Sequence, residues 1–411
     1  MKNRTLRIAV RKFEPFEKAM KHAWEVFCKS MNCPITVELV AMDLHELYEE
    51  TIRKQGLKKG IWDIAHINTD WICEAYEREA LYDLTPWLEE NPPEDYPKGW
   101  SPSLLAMQNF DHRIMGLPFH DGPECLIYRK DLFELEANKL AFYSQFRREL
   151  TVPQTWDEYV EVARFFHRPA EKLFGTVMGI YADGHNAVFD FCLQLWSRQG
   201  NLVDEDGRIQ LNTSEAKDAL HFYKTLVKQS GCIHPNSFQY ESVQAGEAFA
   251  RGEAAMMVNW FGFATVCEVE EASKLKGKID IAPVPAGNNG QGTSLNVYWL
   301  YTVGSGSQHA SLAYDFIRFA MSKEMDKQLT LTGGIGCRLS TWNDPLINHL
   351  IPYYHKLEKL HERSHTLPRK KNWATIATRI DQLIQDVLAE KGTITELLMQ
   401  AQVDINQLDN E

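Results

Sequence analysis

His361, Glu362, Arg363, Ser364 and His365 spell HExxH, the spacing that sets two imidazoles on one helix face beside a glutamate, as a zinc-dependent hydrolase requires. The surroundings oppose that chemistry. LEKLHERSHTLPRKK is densely charged, Pro368 ends any helix three residues after His365, and no further acidic or histidine ligand follows at a recognisable spacing. DEDG at Asp204 to Gly207 opens like a calcium loop but lacks the later ligands and the closing glutamate, which leaves a hairpin turn. No Walker pattern, nucleophile elbow or GxGxxG after a strand is present. The chain is expected to be no enzyme, with no cofactor and no metal.

The other polar and aromatic residues at strand ends suit binding. Asp70 and Trp71 fall where a third strand gives way to a helix, the carboxyl edge at which open α/β sheets take ligands. The plainer alternative is a helix cap and a core anchor. His120 and Asp121 stand between two apolar runs, in a turn punctuated by Gly116, Pro118, Gly122 and Pro123. Tyr181 and His185 bracket the turn YADGH, which also reads as an ordinary Asp-Gly turn. Trp260 closes the small-residue run AAMMVN, and Tyr298 and Trp299 interrupt another strand. Aromatic faces of this kind take the apolar face of a sugar ring, while carboxylates, amides and guanidinium groups take its hydroxyls; core packing is the alternative for each ring. Arg338, after Gly333 and Gly334 and with no carboxylate beside it in sequence, could fork onto a hydroxyl pair. A surface arginine is the alternative.

These residues need a frame, and the periodicity supplies one. Leu6 to Val10 reads as strand, Phe16 to Met31 as helix, Ile35 to Met42 as strand, and Ile61 to Ile67 as a third strand, giving a βαβαβ lobe. Asp43 with Glu46 makes a capping-box-like start, and Thr155 with Glu158 a capping box, for the helices after them. Helical spacing follows over Phe189 to Ser197 and Ala216 to Val227. Gly252 to Trp260, Ile279 to Val284 and Leu295 to Val303 read as strands, with the glycine- and asparagine-rich loop PAGNNGQGTS before the last. Ala313, Phe316, Ile317 and Ala320 share one helix face that Gly333 and Gly334 are expected to stop, and an amphipathic helix starts at Trp373.

Composition narrows the classes further. The 411 residues suffice for two cores, and 44% apolar with 24% charged residues is ordinary for a globular chain. A net charge of -12 gives no electrostatic reason to expect nucleic acid or an anionic membrane as partner. The eight cysteines, Cys28, Cys33, Cys73, Cys125, Cys192, Cys232, Cys267 and Cys337, form no CxxC pair and read as small buried hydrophobes. MKNRTLRIAV is too short in apolar residues for a secretory signal, so either a signal has been removed or the protein stays inside. Ala254 to Cys267 contains Asn259 and falls short of a membrane span.

Eight segments in register carry a resemblance across nearly the whole chain. WDIAHINTDWICEAYEREALYDLTPWL, IMGLPFHDGPECLIYRKDLFE, TVPQTWDEYVEVARFF and AFARGEAAMMVNWFG are followed by IDIAPVPAG, SLNVYWLYTV, AYDFIRFAMSKE and LTGGIGCRLS. In this order they resemble the extracellular solute-binding proteins of carbohydrate ABC transporters, of the maltose-binding-protein-like type. The resemblance implies an α/β, periplasmic-binding-protein-like fold with two lobes, each a central sheet flanked by helices, closing on a ligand in the cleft between them. It implies lobes of 1–118 plus 268–321 and 119–267 plus 322–411. The function implied is a receptor that hands a mono- or oligosaccharide to membrane permease subunits, as a monomer, in the periplasm or anchored at the cell surface. Its cleft positions fall on Asp70, Trp71, His120, Asp121, Trp260, Tyr298 and Arg338, with Tyr181, His185 and Trp299 beside them. The chain departs from the pattern at Asn296 and Val297, where the family has Gly-Gly, and at Ile335 and Gly336, where it has prolines. A polyol or peptide receptor on the same fold, and a zinc hydrolase using His361, Glu362 and His365, are the rival readings.

Overall fold

The computed structural model describes residues 5–31, 35–287 and 290–408. Cys33 and the central Asn288 and Asn289 of the glycine-rich loop lie outside the described residues. In chain order the strands are β1 Thr5–Arg11, β2 Thr36–Met42, β3 Ile64–Asn68, β4 Asn109–Phe110, β5 Arg113–Ile114, β6 Leu117–His120 and β7 Glu124–Tyr128. They continue as β8 Phe174–Thr176, β9 Ala254–Trp260, β10 Asp280–Ala282, β11 Ser294–Leu295, β12 Trp299–Val303 and β13 Ser364–His365.

The chain divides into two compact units. The first comprises Met1–Gly122, Val297–His355 and Arg369–Lys371. Its five-stranded sheet has the order β2-β1-β3-β12-β6, with β1 parallel to β2 and β3, and β12 antiparallel to β3 and β6. The helix Glu14–Met31 buries Phe16, Ala19, Met20, Ala23, Trp24 and Phe27, a stripe at three- and four-residue spacing that faces one side of the unit. Trp24 and Phe27 meet Phe316 of the helix Ala310–Ala320 at 5.0 and 5.5 Å, so two amphipathic faces close on one aromatic core.

The second unit comprises Pro123–Asn296, Lys356–Pro368 and Asn372–Glu411. Its sheet has the order β10-β7-β9-β8, and β11 pairs in parallel with β13 as a separate ribbon. The capping box expected at Thr155 forms: its side chain accepts from Glu158 while Glu158 reaches back to the Thr155 backbone. The helix Trp373–Leu388 buries Ile376, Ile380, Leu383, Ile384, Val387 and Leu388, the stripe its spacing specifies.

Three details depart from the expected frame. Leu295 to Val303 is not one strand, because the bonds of its middle go elsewhere: Asn296 N–H donates to the His365 carbonyl and Tyr298 N–H to Thr69 Oγ1. It breaks into β11 in the second unit and β12 in the first. The helix before Gly333 is two helices, Ala310–Ala320 and Lys323–Leu331, the second started by the Ser322 side chain accepting from Met325 N–H. The expected partition put 268–321 with the first lobe and 322–411 with the second. In the structure residues 268–296 fall in the second unit, where β10 pairs with β7, and residues 322–355 in the first, where Lys323–Leu331 packs on Glu14–Met31.

Among the described residues no helix is long and apolar enough to cross a membrane. Of the seven described cysteines, Cys28 and Cys73 are half-buried and the rest are buried.

Candidate ligand-binding edges

Topology gathers the first unit's candidates. The parallel strands β1 and β3 end at Arg11 and Asn68, while β12, running the other way, starts at Trp299 opposite both Asn68 and His120. Strand carboxyl ends and the start of an antiparallel neighbour thus share one edge, the place where open α/β sheets bind ligands. A register shift between Trp299 and Leu300 frees the Trp299 side chain from strict alternation.

The rings at this edge support one another. Trp299 is half-buried, and its ring meets Trp71 at 5.7 Å and Phe16 at 6.2 Å, both edge-on. Trp71 is enclosed, with Tyr48 on it at 5.3 Å. His120 lies 4.6 Å from Phe16, and its Nε2 is buried without a hydrogen-bond partner among the described residues. Burial drives the His120 imidazole down to about 3, against an opposing pull from Asp121, so the ring is neutral at physiological pH and can both donate and accept. Asp70 and Asp121 are buried at the same edge; the Asp121 N–H donates to the Ile335 carbonyl at 3.1 Å.

Tyr298 and Arg338 are placed differently from expectation. Tyr298 is 0% exposed, and its hydroxyl donates to Gln108 Oε1 at 2.7 Å. Its backbone exchanges two bonds with Thr69, accepting from Thr69 N–H and donating to Thr69 Oγ1. The Tyr298 ring is turned inward, and its backbone bonds to Thr69 fix the turn that carries Asp70 and Trp71. Arg338 is 1% exposed, lies 4.4 Å over the Trp100 ring, and donates to the carbonyls of Met321 and Glu94 at 2.9 Å each, with Asp95 at 3.4 Å. It is an internal strut whose partners sit far away in sequence.

The second unit presents another aromatic edge. Trp260 ends β9 half-buried and meets Phe189 edge-on at 5.7 Å, and Phe189 meets His185 at 5.8 Å. Asp183 accepts from the N–H groups of His185 and Asn186, so YADGH is a turn that starts the helix Asn186–Trp196. Tyr181 is 51% exposed and stands outside these ring contacts. Glu124, opposite Trp260 in the β7–β9 pair, is buried with Oε2 unpartnered among the described residues.

Phe16, Asn68, Phe189 and Glu124 also belong to these edges, and no local motif marks them. Phe16 and Phe189 look like helix core, and Asn68 looks like cap chemistry in NTD. The rule that the carboxyl ends of parallel strands gather at one edge would have found Asn68.

HExxH does not form a metal pair. The helix Leu357–His361 ends on its first histidine, and Ser364–His365 is extended and paired with β11. The His365 ring stacks on Trp196 at 4.8 Å, and among the described residues no group of three or more potential ligands could hold a metal ion. DEDG is a turn closed by Asp204 N–H on the Arg208 carbonyl.

The fold recurs in solved structures. A maltose-bound MalE3 of T. maritima superposes with a TM-score of 0.85 at 22% identity, over 98% of this chain and 99% of that one. A ribitol complex of an ABC transporter solute-binding protein from Agrobacterium radiobacter does so at 0.85 and 23%, over 98% of each. Among curated proteins, a probable ABC transporter-binding protein of Deinococcus radiodurans is 23% identical over 63% of this chain, and an arabinooligosaccharide-binding protein of Bacillus subtilis 25% over 64%. The match spans 60% and 56% of those two proteins' own lengths. The family model for the bacterial extracellular solute-binding proteins matches residues 35–327 of the 411, and the chain belongs to that family.

Proposed function

We propose that this chain is the solute receptor of an ABC importer and that its ligand is a mono- or oligosaccharide or a related polyol. One observation carries the reading: the half-buried Trp299 is held at the strand edge by Trp71 and flanked by neutral His120. An aromatic face stacks on the apolar side of a sugar ring, and a neutral imidazole serves a hydroxyl as donor or acceptor without requiring charge on the ligand. Asp70 and Asp121 supply acceptors beside it, and Trp260 offers the second unit's stacking surface. Tyr298 and Arg338 act as frame beneath the edge, and Tyr181 takes no direct part.

The names of the similar proteins, with maltose, ribitol and arabinooligosaccharide among them, support this class of ligand. Family membership places the chain among binding proteins rather than enzymes and implies a periplasmic or cell-surface location. Delivery to permease subunits and a monomeric state complete the proposal.

Calorimetry of the purified chain against a panel of sugars, polyols, amino acids and short peptides tests it. Binding to a sugar or polyol, lost in Trp299→Ala, is the expected result. Binding to an amino acid or peptide alone rejects the ligand class.

A further inference from the structure

The second unit holds a carboxyl group to which sugar stacking alone gives no task. Glu124 opens β7, is 6% exposed, and its Oε2 is enclosed without a donor among the described residues. Directly paired residues of adjacent strands project to the same side of a sheet. Glu124 therefore points with its β9 partner Trp260, and Leu126 with Val258, to one face. That face is covered by the helix Asn186–Trp196: Phe189 touches Trp260, and Asp190 shares a small cavity wall with Val258. From β11, Ser294 Oγ donates to the Glu124 carbonyl, and Asn296, two residues on, is 1% exposed with both side-chain amide atoms unpartnered among the described residues.

An enclosed carboxyl without a partner among the described residues, beside a stacking ring, is costly unless something supplies the missing bond, and the unsatisfied Asn296 amide after β11 adds to that cost. Among the described residues no cation compensates Glu124. The helix Asn186–Trp196 offers Asp190 and Cys192, with Tyr223 behind donating to Asp190 at 3.0 Å. The sheet offers Cys125, turned to the other face, and Asp280 on β10, which is paired with Lys356 at 2.5 Å. Neither β9 nor β11 adds a charge. Desolvation first, then the Asp190 charge, push the Glu124 acid well above the usual carboxylate range. A protonated carboxyl carries one donor and one acceptor.

We propose that Glu124 is a specificity-determining residue, donating a hydrogen bond to an oxygen of an uncharged polyhydroxylated ligand whose ring lies on Trp260. The inference rests on the receptor function proposed above. It adds a requirement that stacking alone does not impose: the ligand must place an acceptor beside the ring face that Trp260 covers.

The test is calorimetry at neutral pH with the sugar or polyol that the parent chain binds. Glu124→Gln, which keeps a donor, is expected to hold affinity near the parent's. Glu124→Leu is expected to lower affinity by about tenfold while keeping the parent's denaturant midpoint or raising it, because it removes an unpartnered buried group. Parent affinity in Glu124→Leu, or an affinity in Glu124→Gln as low as in Glu124→Leu, overturns the assignment and leaves the receptor reading standing. A parent chain that binds no sugar or polyol at all overturns both.

Discussion

The indole of Trp71 meets that of Trp299 edge-on, centroids 5.7 Å apart and planes at 88°. Trp71 is enclosed and Trp299 only half so, and the pair therefore divides the labour: one ring is an anchor, the other is presented. Edge-to-face contact fixes the outer ring's orientation before any ligand arrives, which lowers the ordering cost of binding.

Replacing Trp299 by Ala is expected to lower sugar affinity by about 2 kcal/mol, roughly thirtyfold, with a small change in stability. Trp71→Phe should also weaken binding, though less, because it loosens the support and leaves the presented ring in place. Calorimetry on both variants checks the order. An affinity loss larger for Trp71→Phe than for Trp299→Ala would assign the contact to the wrong ring.

Tyr298 supplies the contrasting case. Its hydroxyl donates to Gln108 Oε1, and Gln108 is itself buried and donates to the Leu104 carbonyl. Tyr298→Phe leaves that amide oxygen without its donor and should cost about 1 to 2 kcal/mol of stability. Guanidinium unfolding measures it. A variant as stable as the parent, with sugar binding lost instead, would return Tyr298 to the ligand.

The difference between these neighbours marks what the sequence can tell. Period and capping chemistry were legible: the stripe from Phe16 to Phe27, the Thr155 box and the helix from Trp373 follow local rules that tertiary contacts reinforce. The glycine and proline punctuation around His120 and Asp121 also marked the passage from β6 to β7. What local rules could not supply was direction. SLNVYWLYTV is one apolar run, and only the bonds from Thr69 and His365, distant in sequence, split it and turn Tyr298 inward. HExxH fails for a related reason: its spacing holds only on a helix, and β11 draws its second half into a strand.

Arg338 is the strongest instance of partners invisible in sequence. Its guanidinium satisfies the carbonyls of Met321 and Glu94 and lies over Trp100, all within the first unit. Arg338→Met removes the donors and leaves the two carbonyls unsatisfied, while Asp95 keeps Lys323 at 2.7 Å. A loss of about 2 to 4 kcal/mol is expected. Arg338→Lys should recover little of it, since an ammonium cannot fork between two carbonyls while stacking on an indole. Denaturant midpoints for the two variants test the claim, and full recovery by lysine would reduce Arg338 to a point charge.

The buried histidines give the acid response its sign. His66 stacks on Phe119 at 3.9 Å with both ring nitrogens unpartnered among the described residues, and burial, with a smaller push from His120, drives it down to about 3. His120 is likewise held at about 3. Unfolded histidines titrate near 6.5, so between these values the unfolded chain binds more protons than the folded one. Stability contributed by neutral His66 and His120 is complete above about pH 6.5 and is lost as pH falls towards 3, by about 1.4 kcal/mol per pH unit per group. Asp190 runs the other way. Burial raises it to about 7, and the stability it favours in its protonated form is lost as pH rises from about 4 to about 7. His66→Leu removes one acid-sensitive group and two unpartnered nitrogens, against the loss of one ring stack. It should raise neutral-pH stability by about 1 kcal/mol and move the acid limb to lower pH. Asp190→Asn should flatten the fall between about pH 4 and about pH 7 and leave that acid limb in place. Urea midpoints across the pH range for the parent and both variants separate the two groups. An acid limb that does not move in His66→Leu would place its origin in other groups.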